Sequence, residues 1–211
     1  VLEARSVMVV RAVLFDIGGV LEITPDLGVV PQWEDRLGLP AGTLGQRLAD
    51  IWAGGEVGIV TETDVHQALR DRLGLDDGQV AGLMADMWRE YLGTPNTELI
   101  AYLRHLRPRY RTGIISNSFV GAREREQAAY GFAELVDVLI YSHEAGISKP
   151  DPRIYALACA QLEVAPPEAV FVDDTDVRVD GARRAGLHAV RYQDTAQVIG
   201  ELNALLAGHV V

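Results

Sequence analysis

Cysteine is all but missing from this chain, with a single Cys159 among 211 residues. One thiol closes no intramolecular disulfide, which rules out a disulfide-stapled scaffold and agrees with a reducing compartment, the cytoplasm. Its setting, ALACAQL, is an apolar helical pattern in which a thiol packs as a small inert hydrophobe rather than serving as a nucleophile. Long apolar runs are missing as well. Residues 7 to 15 are interrupted by Arg11 and fall well short of the roughly 20 residues that span a bilayer, so no transmembrane helix is expected. Residues 1 to 10 carry Glu3 and Arg5 and no apolar stretch leading to a small-residue cleavage site, so they do not read as a signal peptide. Positive charge is scarce: 19 Lys and Arg face 30 Asp and Glu, a net charge of -11. Nucleic acid and anionic membrane both demand basic patches, so neither is expected as a partner. A few local donors suffice to hold a phosphate, so the acidic balance does not decide for or against a small phosphorylated substrate. No segment marks an oligomer interface.

What is present is an ordinary globular composition, 48% hydrophobic and 23% charged, long enough for one core domain and a modest insertion. Five runs read as strands buried on both faces: 9 to 15, 112 to 116, 136 to 141, 169 to 173 and 187 to 192. Helical patterns lie between most of them. TPNTELIAYLRHL opens on Thr94-Pro95 and places Leu99, Ile100, Leu103 and Leu106 on one face, and PDPRIYALACAQL begins in the same proline-led way. The tail from Thr195 repeats the pattern with Val198, Ile199, Leu202, Leu205 and Leu206. Alternation of this kind predicts an α/β fold, a doubly wound parallel sheet covered on both faces. Between the first strand and residue 94 no convincing β-run appears. Helical segments at 31 to 38, 43 to 53, 61 to 73 and 77 to 92, punctuated by Gly and Pro, predict a small all-helical unit over 24–93, leaving 1–23 and 94–211 to the α/β core.

The strands end on chemistry. RAVLFDIGGVLE stops at Asp16 and runs into Gly18-Gly19, where backbone can approach a ligand closely. RTGIISNS ends on Ser116-Asn117 ahead of a helical stretch from Gly121, and helix N-termini favour anions. AVFVDDT ends on Asp173-Asp174, and Lys149 sits in the loop GISKPDP. Taken singly, Asp16 reads as a turn or capping residue, Ser116-Asn117 as a common turn, and Lys149 as a surface cation. The acidic pair is more telling, because adjacent buried carboxylates repel and call for a cation. Mg²⁺, which takes hard oxygen ligands, suits it. The bland reading is that these acids cap the helix starting near Asp176.

Those four sites, in that order over nearly the whole chain, resemble the haloacid dehalogenase superfamily. The resemblance implies that Asp16 is a nucleophile forming an aspartyl-phosphate and that Lys149 steadies nucleophile and phosphate. It implies that Gly19, Ser116 and Asn117 help to seat the phosphate, and that the helical unit over 24–93 is a cap set over the carboxyl end of the sheet. For Mg²⁺ it implies Asp16 and Asp174 as direct ligands, Asp173 directly or through water, and the backbone carbonyl of Gly18. The expected partner is a small-molecule phosphorylated substrate.

One position departs from the pattern. Phosphatases of that superfamily usually carry a second Asp two residues after the nucleophile as general acid, and here Gly18 stands there. Three outcomes stay open: a leaving group that needs little protonation, such as an anomeric sugar phosphate, an acyl phosphate or an enol phosphate; a water, substrate group or cap residue replacing the acid, with Glu22, Glu56 and His66 as cap candidates; or a weak or retired catalyst. Trp33, Trp52 and Trp88 fit either a substrate pocket or helix packing in the cap. His143 and Glu144 precede the lysine loop, and Arg178 stands where relatives often have Asn. A metal-independent 2-haloacid dehalogenase, in which Asp attacks carbon and halide leaves unprotonated, accommodates Gly18 well but gains nothing from Asp173-Asp174. A non-catalytic phospholigand-binding protein of the same fold is the remaining alternative.

Overall fold

The computed structural model describes residues 9–207, so the reading of residues 1 to 8 lies outside the described residues. Five strands, β1 (Ala12–Phe15), β4 (Arg111–Ser116), β5 (Val138–Tyr141), β6 (Ala169–Asp173) and β7 (His188–Arg191), form one parallel sheet in the order β5-β4-β1-β6-β7. Each coincides with a run expected as a strand: β1, β5 and β7 are trimmed at the ends, β6 matches its run, and β4 begins one residue earlier, at Arg111. Alternation along the strands sorts their side chains onto two faces. Val13, Phe15, Ile114, Val170 and Val172 join one core with α6 (Thr97–Leu106) and α11 (Thr195–Ala207). Ala12, Leu14, Ile115 and Phe171 join the other with α9 (Pro152–Gln161) and α10 (Asp176–Arg184). The fold is therefore the doubly wound parallel α/β sheet that the sequence predicts. Cys159 is buried in the second core, and burial pushes its thiol up to about 11, which keeps it inert.

The helix faces explain themselves. Leu99, Ile100, Leu103 and Leu106 of α6 are all buried, and each contributes about 1.5–3 kcal/mol of burial. The side chain of Asn96 caps that helix by accepting from the Leu99 amide, and its Nδ2 donates to the Val20 carbonyl 3.0 Å away, tying α6 to the loop after β1.

Five helices lie between residues 24 and 93: α1 (Val29–Arg36), α2 (Thr43–Arg47), α3 (Ala49–Glu56), α4 (Glu62–Leu73) and α5 (Asp77–Leu92). They share a third apolar core around Trp33, Leu48, Leu69 and Leu83. Two details differ from the sequence reading. The segment 43 to 53 is two helices, broken at Leu48, which is fully buried with φ -117 and carries no Gly or Pro to announce the break. A two-residue antiparallel pair, β2 (Glu22–Ile23) with β3 (Thr94–Pro95), brackets the insertion where no strand was expected. Runs so short leave no alternation to read.

Candidate active site

Parallel pairing brings three strand ends to one line. Asp16 follows Phe15, which is level with Ile114 of β4 and Val172 of β6, so Asp16 stands level with Ile115 and Asp173 at the carboxyl edge of the sheet, with Ser116 the next residue along β4. Its amide donates to the Val172 carbonyl at 2.9 Å, extending the ladder to the functional residue itself. Lys149 arrives from the loop before α9. Its Nζ lies 2.7 Å from Asp16 Oδ1 and 2.8 Å from Asp173 Oδ2, with the lysine, Asp16 and Asp173 all buried. Asn117 fixes that loop: its Oδ1 accepts from the Lys149 amide (2.8 Å) and its Nδ2 donates to the Lys149 carbonyl (2.9 Å).

Arg178, on the first turns of α10, completes the charge set. Its guanidinium is 3.2 Å from Asp16 Oδ2 and 3.9 Å from Asp173 Oδ1. Burial pushes Asp16 up to about 7, against the pull of Lys149 and with Asp173 adding to the rise. Burial acts on Asp173 in the same direction, but Lys149, the bond with Asp16 and the Thr175 amide outweigh it and hold that carboxyl below its ordinary value.

Asp16, Asp173 and Asp174 each offer a carboxylate oxygen within 4.8 Å of the others. The donor set is hard, anionic and compact, which fits Mg²⁺. The three acids are not equivalent. Asp173 gives Oδ2 to Lys149 and Oδ1 to the Thr175 amide (2.8 Å), the local turn of the capping alternative. Asp174 is half-buried, and its Oδ1 accepts from the Thr175 hydroxyl at 3.0 Å. Gly19 makes room for it: with φ +76, a Cβ there would stand 2.4 Å from Asp174 Oδ2. Gly18 is bridged through its backbone to Glu22.

Ser116 is buried at the end of β4. The side chain of Asn117 spans the lysine loop and Glu56 Oε1 (3.1 Å). The helix expected after Gly121 is α7 (Ala122–Tyr130). A cavity of about 360 Å³ lies between the insertion and the core, with Trp52 and Trp88 in its wall and Arg178 and Asn117 toward Asp16. Trp33 is elsewhere, bonded through its indole to Asp86. Of the candidates for the missing acid, Glu56 lines the cavity, His66 lies on α4 away from it, and Glu22 is closest to position 18. A Cβ on Gly18 would sit 3.9 Å from Glu22 Oε2 and 3.7 Å from Thr24 Oγ1. Glu22 is buried, bonds Thr24 (2.7 Å) and leaves Oε1 without a partner; burial pushes it up to about 7. His143 bonds Ser118 Oγ through Nδ1 (2.6 Å), and Glu144 pairs with Arg123.

The sequence singles out Arg178 without giving it a role, and a further buried acid, Glu126, escapes it. Glu126 accepts from Tyr141 Oη at 2.6 Å and from Tyr91, and burial raises it to about 7. Arginine and glutamate on a polar helix look alike whether they point to solvent or inward. The one signal was Arg178 standing at a position where relatives often carry Asn.

The model of the haloacid dehalogenase-like hydrolases matches residues 10–186. The chain is 27% identical over 212 residues to acyl-CoA dehydrogenase family member 10 of Mus musculus, covering 93% of this chain and 19% of the mouse protein. It is 35% identical over 104 residues to phosphoserine phosphatase of Thermus thermophilus, covering 48% of this chain and 41% of that one. The chain spans about half or less of the length of the first curated relatives it matches. A HAD family enzyme from Bacteroides thetaiotaomicron shares the fold, with a TM-score of 0.77 at 19% identity over 90% of this chain and 98% of that chain. That enzyme has also been solved with magnesium and inorganic phosphate.

Proposed function

Because this chain belongs to the haloacid dehalogenase-like hydrolases, we propose that it is a magnesium-dependent phosphatase of a small phosphorylated metabolite, working through an aspartyl-phosphate on Asp16. The observation that carries the reading is the buried Asp16–Lys149–Asp173 constellation, at 2.7 and 2.8 Å, with Asp174 beside it. One Asp16 carboxylate oxygen forms a bond to phosphorus as the bond from phosphorus to the leaving oxygen breaks, and water then cleaves the acyl phosphate to regenerate Asp16. Lys149 neutralises charge on nucleophile and phosphoryl group, and Asp173 holds Lys149 in place. Asp16 and Asp174, with Asp173 and the Gly18 carbonyl, would hold Mg²⁺, which when bound neutralises phosphoryl charge and aligns the reacting oxygens. Gly19 and Ser116 border the phosphate seat, and Asn117 serves it by fixing Lys149.

The chemistry belongs to 1–23 and 94–211 and the choice of substrate to the helical cap, 24–93. The single buried thiol agrees with work in the cytoplasm. At Gly18 no side chain protonates the leaving oxygen, which favours leaving groups that need little help, and Glu22 is the carboxyl nearest the gap. Asp16→Asn is expected to abolish magnesium-dependent phosphate release from a panel including acetyl phosphate, sugar phosphates and p-nitrophenyl phosphate. Release that survives the substitution, or is indifferent to chelator, overturns the reading.

A metal-independent 2-haloacid dehalogenase has one observation in its favour: Arg178 already supplies Asp16 with a second cation, and halide needs no acid at Gly18. Chelator-insensitive halide release from 2-haloacids in the same panel establishes it. Asp174 counts against it. Among the described residues no ion pair neutralises that carboxylate, which a metal would use and a dehalogenase would not. Phosphate binding without turnover would leave the non-catalytic alternative.

A further inference from the structure

The phosphatase reading leaves the body of the substrate unnamed, and the cavity beside Asp16 constrains it. Its volume, about 360 Å³, suits a ring-sized group. Trp52, Met84, Met87, Trp88, Tyr91 and Phe119 form most of its wall. Trp52 and Phe119 pack with ring centroids 5.7 Å apart, and Trp88 and Phe119 at 6.4 Å, so the aromatic wall joins insertion to core.

Most polar groups at its margin are already engaged, the buried indole Nε1 of Trp88 being the donor left without a partner. Asn117 spends its amide on Lys149 and Glu56, Ser118 Oγ is bonded to His143, the Tyr91 hydroxyl to Glu126, and Arg178 to Asp16. A polyhydroxylated body would exchange water for a wall with few free partners, and unpaired buried hydroxyls are costly. A second anionic group would face the Glu56 carboxylate. Arg178 and Asn117 belong both to the cavity margin and to the Asp16–Lys149 site, so a body seated there carries its phosphate toward Asp16.

The geometry points to a phosphomonoester of an uncharged, apolar alcohol of ring size as the substrate class, rather than a sugar phosphate. The inference rests on the phosphatase reading for its chemistry but on the cavity wall for its selectivity, and the two fail separately.

Benzyl phosphate and cyclohexylmethyl phosphate are compared with glucose 6-phosphate and glycerol 1-phosphate, with magnesium. All four release a primary alkoxide, so the absence of an acid at Gly18 weighs on them alike. Binding of benzylphosphonate and methylphosphonate is followed in parallel by tryptophan fluorescence. The ring esters are expected to lead in kcat/KM by at least about tenfold, benzylphosphonate to bind at least about tenfold tighter, and Met87→Gln to shrink both ratios. Faster release from glucose 6-phosphate overturns the apolar pocket and leaves the phosphatase standing. Equal binding of the two phosphonates also overturns the pocket. Tight benzylphosphonate binding with no phosphate release from any ester or from acetyl phosphate keeps the pocket and removes the phosphatase.

Discussion

Two adjacent glycines at the exit of β1 bear opposite constraints. At Gly19 a methyl group would drive into Asp174 Oδ2 at 2.4 Å while the backbone holds φ +76. Gly19→Ala is therefore expected to displace Asp174, weaken magnesium binding and cost more than about 1 kcal/mol of stability, measured by calorimetry and by metal-dependent thermal shift. Gly18 has no such obstruction, since its nearest neighbours would be Thr24 Oγ1 and Glu22 Oε2 at ordinary contact distance. Gly18→Asp should fold and should raise kcat on alkyl phosphates with poor leaving groups by about 10²-fold, the lower end of what a positioned acid supplies. Unchanged rates on those esters would show that the gap at Gly18 does not limit the reaction.

The element that matters most to the site is the loop before α9, because it delivers Lys149. Nothing covalent holds the loop at the sheet edge; Asn117, at the end of β4, grips both the amide and the carbonyl of Lys149. Asn117→Ala is expected to lower kcat by about 10²-fold, the cost of a misplaced catalytic group, with a melting transition that stays cooperative and a stability loss of about 1–2 kcal/mol. A kcat within twofold of the wild type would mean that Lys149 is held by its two aspartates alone. Asp16, Ser116, Asp173 and Lys149 were visible in the sequence because each interrupts an apolar strand or occupies a short proline-bearing loop, and a polar residue at such a place needs a reason. The approach of Arg178 to Asp16 and the burial of Glu126 were not, because helical position does not say which way a long polar side chain turns. The breaks at Leu48 and the β2–β3 pair were hidden for another reason: each depends on tertiary contacts, with no Gly, Pro or alternation to mark it. The grip of the Asn117 side chain on Lys149 was hidden too, since only the fold shows what lies opposite its amide.

At the scale of the molecule, insertion and core meet at a buried acid. Glu126 of α7 bonds Tyr141 of β5 and Tyr91 of α5. Burial raises its pKa from 4.5 to about 7, so between those values the folded state binds a proton that the unfolded state has lost. Stability contributed by the neutral form is complete below about pH 4.5 and declines as pH climbs toward 7, by up to about 3 kcal/mol. Glu126→Gln keeps the acceptor for Tyr141 and cannot ionise. Its stability relative to the wild type should therefore rise across that window in urea melts at successive pH values, and a flat difference would place the titration elsewhere.

The β2–β3 pair has a consequence of its own. The chain leaves the sheet for the five helices and returns from them across adjacent, hydrogen-bonded positions, Glu22 opposite Pro95 and Ile23 opposite Thr94. Such a narrow neck lets the helical part change without moving the ends of the chain that enter and leave it. Lengthening or replacing the helices can recast the aromatic wall without disturbing the strand register that aligns Asp16 with Asp173.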